Sequence, residues 1–341
     1  MQFLRPSARR LVTGAAMAAA ALGALTGPAS AGTLKNPIDP EQQTALAFGA
    51  RSHWLQPWRA YLDTLPATRL RDAIGINLNV SAEEVPATAQ LLARSGFRRA
   101  RVEIGWNQMD FADPTRVENP GRLRQHLEPL KANGIRPLIL LNANHGIPGP
   151  ARFFDAVLAQ PARSGDRRVR LDPVSAGRVV PHRTGLNSED PWRAADVIFT
   201  AVDAAGWATL SRPLPRDLAA GAHPAATLRY GPFGPPTLPN GNPNPAFEDT
   251  LTGWLSYVGA VTREAQAILG SDNFDVEIWN ELSFGSDFLY QERYYDPPRE
   301  RGGGDVTQAI LERTVAYLRG PRSGVGGVGI GDGLANQRPW Q

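Results

Sequence analysis

Cysteine is absent from the 341 residues, which excludes disulfides, thiolate nucleophiles and cysteine-ligated zinc. Lysine is scarce: only Lys35 and Lys131 occur, and arginine supplies the remaining basic charge. A surplus of one charge sign is also missing. The formal net charge is +3, but residues 1–31 hold Arg5, Arg9 and Arg10 and no acid. Removing those three leaves 33 basic against 33 acidic side chains. A neutral remainder offers no electrostatic footprint for nucleic acid or an anionic membrane surface. The five histidines (His53, His126, His145, His182, His223) are scattered, without the spacing of a metal site. There is no Gly-x-Ser-x-Gly elbow and no phosphate loop. Gly324-Val325-Gly326-Gly327-Val328-Gly329 has the letters of a dinucleotide fingerprint. The helix and the acidic residue about 20 positions on that the fingerprint requires do not follow it, so this reading is rejected.

Residues 1–31 read as a signal peptide. Arg5, Arg9 and Arg10 precede a weakly apolar, alanine-rich run from Leu11 to Leu25, and Ala29-Ser30-Ala31 supplies a small-residue cleavage pattern. The run is short for a membrane span, and the Arg9-Arg10 pair suits twin-arginine export. The expectation is a secreted or periplasmic protein with no membrane segment once the signal is cleaved. Residues 32–66 form an N-terminal segment, polar at first, with a helix over 54–63 that gathers Trp54, Leu55, Trp58, Tyr61 and Leu62.

Strand–helix alternation follows over 67–159. Residues 73–78 read as a strand and 82–95 as its helix, capped by Ser81 and ended by Gly96. Phe97–Trp106 is a second strand carrying Arg101 and Glu103, Arg122–Asn133 a second helix, and Ile135–Asn142 a third strand. Such alternation implies parallel strands with right-handed crossovers. Over 160–247 the rhythm breaks. The chain is rich in proline and glycine there, and its strand-like runs at 168–171, 197–202 and 207–210, with Asp203–Gly206 as a hairpin turn, predict an inserted β subdomain. Over 248–341 the alternation resumes: a helix at 251–269, a strand at 274–280, a helix near 305–318 and a strand at 325–331. The fold class expected is α/β, a (β/α)8 TIM-barrel type with a small β insertion. Sixty residues follow Glu281, whereas four more strand–helix units need roughly 120. The chain is therefore expected to be the front part of a longer protein or to hold an incomplete barrel.

Asp275-Val276-Glu277-Ile278-Trp279-Asn280-Glu281 reads as a short buried strand ending in Asn-Glu. A carboxylate at the carboxyl end of a parallel barrel strand faces the mouth where such folds keep their chemistry. Glu281 is accordingly the first candidate for a catalytic acid. Its alternatives are a loop cap or an arginine partner.

Trp279-Asn280-Glu281 in this position resembles the acid/base signature of the retaining (β/α)8 glycosidases, glycoside hydrolase clan A, and is most similar to family 39-like and family 5-like enzymes. Arg101 in Arg101-Val102-Glu103-Ile104-Gly105-Trp106 resembles the second-strand arginine of that clan, and His145 falls where some members place a sugar-contacting histidine. The resemblance implies Glu281 as general acid/base, Asn280 as a donor to the sugar 2-hydroxyl, a carbohydrate substrate and no cofactor. It also implies a nucleophile on a seventh strand, and no residue here is assigned to that role. Asn77, at the end of the first strand, joins the substrate-binding candidates. Each has a structural reading beside it: Asn280 as a turn residue, Arg101 as an ion-pair partner of Glu103, His145 as a solvated loop histidine, Trp106 and Trp279 as core rather than sugar platforms. Acetal cleavage needs these types. One carboxyl protonates the leaving oxygen and a second stabilises the oxocarbenium-like transition state. The expectation is retaining hydrolysis of an oligo- or polysaccharide. The alternatives are a noncatalytic carbohydrate-binding barrel and an inactive fragment. The sequence assigns no oligomeric state.

Overall fold

The computed structural model describes residues 72, 74–189, 192–282 and 286–333. The expected signal peptide and the helix over 54–63 lie outside them. The chain divides into two compact units, Met1–Gly75 with Gly96–Arg98, and Ile76–Ser95 with Arg99–Gln341. The description below concerns the second.

Its first stretch runs β1 (Gly75–Asn77), α1 (Val85–Arg94), β2 (Arg99–Gly105), α2 (Pro120–Ala132) and β3 (Arg136–Asn142). Antiparallel structure intervenes: β4 (Ala151–Leu158), β5 (Arg168–Arg170), the short helix α3 (Pro173–Gly177), β6 (Thr184–Leu186), β7 (Val197–Val202), β8 (Trp207–Leu210) and β9 (Gly221–Leu228). Then come α4 (Pro245–Leu269), β10 (Asp275–Ile278), α5 (Val306–Arg319) and β11 (Gly329–Asp332). The protein is thus α/β, with one sheet in the order β1-β2-β3-β10-β11 and a second in the order β4-β9-β6-β7-β8-β5.

In the first sheet β2, β3, β10 and β11 pair in parallel, with Val102 opposite Ile139 and Ile139 opposite Val276. Spatial order equals chain order, and the helices follow the same sequence: α1 packs on α2, α2 on α4, and α4 on α5. This is a singly wound α/β layer. Among the described residues the sheet does not close on itself, so β1 and β11 are its edges.

The local causes are legible. Asn119, Asn244 and Asp305 cap α2, α4 and α5 through their side-chain oxygens, the first two ahead of a proline. Ser81 does not cap α1. A turn intervenes, and Ser81 instead gives its backbone and hydroxyl hydrogens to Glu84 at 3.0 and 2.9 Å. Gly270 ends α4 in the left-handed conformation at φ 71°. Val102, Ile104, Ile139, Val276 and Ile278 are buried, and with Leu123, Leu127, Leu130, Tyr257 and Val261 they form the core. The alternate residues Arg99, Arg101, Glu103, Asp275 and Glu277 share the other, more open face.

The second sheet begins at Ala151, ahead of the boundary expected at 160, because the apolar alternation of β4 belongs to it. All its pairings are antiparallel. Hydrogen bonds from Ala159 N to Arg170 O (2.8 Å) and from Asp172 N to Val157 O (2.9 Å) tie its two edges together. The enclosed core holds Leu158, Val169, Leu171, Leu186, Phe199 and Leu210. No helix among the described residues is long and apolar enough to cross a membrane.

Candidate active site

The site is built at the carboxyl end of β10. Trp279 N still donates to Leu141 O at 2.7 Å, which continues the parallel pairing one residue past the strand. The chain then turns sharply, with Trp279 at φ 66° and Glu281 at φ 51°. Left-handed backbone costs a residue with a side chain about 1–2 kcal/mol, so neighbouring contacts must fix it. Trp279 is fully buried, its ring 4.7 Å from Trp254 and 6.4 Å from Phe233. Gly333 closes over the turn from the far side: Leu282 N donates to Gly333 O at 3.1 Å, and a Cβ on Gly333 would stand 1.9 Å from the Trp279 oxygen. Non-glycine residues held in left-handed backbone concentrate at functional sites.

Arg101 organises the polar face. From β2 it passes over β3 to Glu277 on β10, with Nε to Oε2 at 2.5 Å and Nη2 to Oε1 at 2.9 Å. Nη2 also donates to Asn280 Oδ1 at 2.8 Å, and Nη1 to Asn77 Oδ1 at 3.4 Å. The structure therefore brings three predicted residues, Asn77, Arg101 and Asn280, into one cluster. The partner expected for Arg101 is corrected: Glu277 takes the guanidinium, and Glu103 accepts from Asn142 Nδ2 at 2.9 Å. The hydrogen bonds of Glu277 raise the Arg101 pKa above its usual value, with the charges of Glu103 and Glu281 adding and burial opposing.

With Oδ1 of Asn280 occupied by Arg101, its Nδ2 is left as the donor, and no described residue accepts from it. The Asn280 backbone N–H meets Asn142 Oδ1 at 3.4 Å. Beneath, Tyr257 of α4 joins two strand ends, accepting from Asn142 N at 3.0 Å and donating to the Ile104 carbonyl. Burial holds that phenol well above its ordinary pKa, so it stays neutral.

Glu281 lines a cavity of about 510 Å³ together with Arg101, Leu138, Glu277, Asn280 and Asp332. That is the size of an ordinary small-ligand pocket. It joins three carboxylates with one guanidinium and one amide, a set able to bind hydroxyls and move a proton. His145 is outside it: exposed, its Nδ1 accepts from Asp287 N at 3.4 Å. Trp106 is fully buried in an aromatic cluster with Tyr230 (5.2 Å) and Trp254 (5.6 Å), so neither it nor Trp279 offers a face to a sugar. Glu277 and Asp332 were missed in the sequence. The alternation Asp275-Val276-Glu277-Ile278 was the signal for Glu277, because a half-open strand face puts residues 275 and 277 beside each other. No cluster of three His, Asp or Glu side chains placed to hold a metal occurs among the described residues. No family model and no curated protein matches this chain.

Proposed function

We propose that the protein is an exported glycoside hydrolase that cleaves an oligo- or polysaccharide with retention, using Glu281 as general acid/base in a barrel of the (β/α)8 type. The observation that carries this reading is the place of Glu281: it follows a parallel strand at its carboxyl end, in left-handed backbone, on the wall of a cavity that also holds Asn280 and Arg101. In this reading Glu281 protonates the leaving glycosidic oxygen and then takes a proton from water. Asn280, its amide turned by Arg101, donates Nδ2 to a ring hydroxyl. Arg101 positions Asn280 and Glu277 as one unit. The nucleophile stays unassigned.

One observation favours carbohydrate binding without cleavage: both oxygens of Glu277 are already engaged by Arg101. Glu281→Gln separates the two readings. On aryl glycosides with a poor leaving group the substitution lowers kcat/KM by roughly 10²–10⁴-fold, and a good leaving group narrows that loss. Equal turnover by wild type and variant removes Glu281 from the chemistry. Sugar binding by both, with turnover by neither, establishes the noncatalytic reading.

A further inference from the structure

The second sheet carries a groove of about 530 Å³ lined by four arginines, Arg152, Arg178, Arg183 and Arg229, and by no carboxylate. That composition stands out because residues 32–341 hold equal numbers of acidic and basic side chains, 33 of each. Arg183 is spoken for, since it donates to Asp249 and to the Arg229 carbonyl. Arg229 bonds Tyr230. Among the described residues Arg152, Arg178 and Arg229 form no ion pair; Asp172 senses Arg178 only at longer range. Aromatic rings hold two of the guanidinium groups in place instead of acids. Arg152 lies 4.3 Å from the ring centre of Phe111, and Arg178 5.5 Å from that of Phe154. A cation stacked on a ring keeps its in-plane N–H edge open for a planar anion.

The groove wall supplies a second kind of surface. Phe153 is 59% exposed, and Val180, which also lines the groove, is 48% exposed. A large aromatic face left in water beside forked cations suits a ligand with apolar ring faces and equatorial acidic groups. Phe111 lies in the loop after β2, and the second sheet leaves the first after β3. Those strands run parallel to β10, so the groove is at the same end of the sheet as Glu281.

We infer that this groove binds the carboxylate or sulfate groups of an acidic polysaccharide. The polysaccharide part rests on the glycosidase reading; the anion part rests on the groove alone. Arg152 and Arg178 take the acidic groups in their forks and Phe153 takes a ring face. Nucleic acid is the disfavoured occupant, because residues 32–341, with 33 basic and 33 acidic side chains, lack the extended basic footprint that a phosphate backbone requires.

The test is binding of the full chain, by affinity electrophoresis and calorimetry, to polygalacturonate, dextran sulfate, neutral dextran and a mixed-sequence RNA. Retention by polygalacturonate, dextran sulfate or both, weakening with salt, is expected, with none by dextran; the polymer retained names the acidic group. The double variant Arg152→Ala/Arg178→Ala should bind at least tenfold more weakly with an unchanged thermal transition. Arg152→Lys/Arg178→Lys, which keeps charge and loses the forks, guards against a folding defect and should bind several-fold more weakly. Equal binding of dextran and the acidic polymers, wild-type binding by both double variants, or a preference for RNA overturns the inference. Glu281→Gln should bind as the wild type does, so failure at Glu281 and failure at the groove are read separately.

Discussion

Arg101 and Glu277 meet across an intervening strand, at 2.5 and 2.9 Å, although 176 positions separate them in the chain. Adjacent strands are about 4.8 Å apart, so the guanidinium spans twice that over Leu138 to grip a carboxylate edge-on. Only a long side chain with a forked donor can do this and still reach Asn280.

Arg101→Lys keeps the charge and loses the fork. Unfolding in urea should show a stability loss of about 1–3 kcal/mol, from a charge-assisted pair reduced to one contact. Because Asn280 loses its orienting donor, kcat/KM should fall at least tenfold if the site is hydrolytic. A variant with wild-type stability and kinetics would show that the fork organises nothing.

Gly333→Ala forces a methyl against the Trp279 carbonyl. Overpacking of this kind costs about 1–3 kcal/mol, and the relief available is movement of the Asn280–Glu281 turn. The expected result is a loss of glycoside hydrolysis, if the site is hydrolytic, larger than that of an alanine substitution at Gly177, which has open space and no left-handed backbone, measured alongside a thermal melt of each. Equal effects at both glycines would refute a role for Gly333 in holding the turn.

Glu281→Gly should abolish hydrolysis if the site is hydrolytic, and should raise stability by up to about 1 kcal/mol where relief of the Cβ penalty at φ 51° outweighs the lost attraction to Arg101. Such a trade is the signature of strain retained for function. A destabilised Glu281→Gly protein would mean that the Glu281 side chain contributes more in contacts than its backbone costs.

Acid should loosen the sheet through Asp275. Its pKa is lowered, first by the hydrogen bonds of Arg136 (Nη2 to Oδ1, 2.7 Å), with the charges of Arg136 and Arg99 assisting against burial. A carboxylate depressed in the folded state contributes stability that is fully present above its unfolded pKa, about 3.9, and is lost as pH falls through the lower folded value. Urea midpoints should therefore place Asp275→Asn below the wild type at pH 7, with the gap closing below pH 4. A gap independent of pH would assign the effect to packing.

Much of the architecture was legible because it is local. The 3.6-residue apolar period marked α4, short runs of β-branched, aromatic and other apolar residues marked β7 and β8 at their observed bounds, and the hairpin turn at Asp203–Gly206 followed from its composition. β6 and β9 were not legible. Gly221–Leu228 contains Pro224 and three alanines and has no β-branched run except Thr227, so it becomes a strand only because β4 and β6 pair with it on both sides.

The sequence by itself determined the alternation of strands and helices and the place of Glu281 after a strand, since each depends on residues within a turn or two, whereas the caps at Asn119, Asn244 and Asp305 emerged only from the structure. The tertiary structure alone decided that Arg101 binds Glu277 rather than Glu103, that Asn77 and Asn280 share its guanidinium, that His145 stands apart, and that Gly333 closes the turn. Those are contacts between segments more than twenty residues apart, and neighbouring periodicity carries no information about which distant side chains the packing of strands will set side by side.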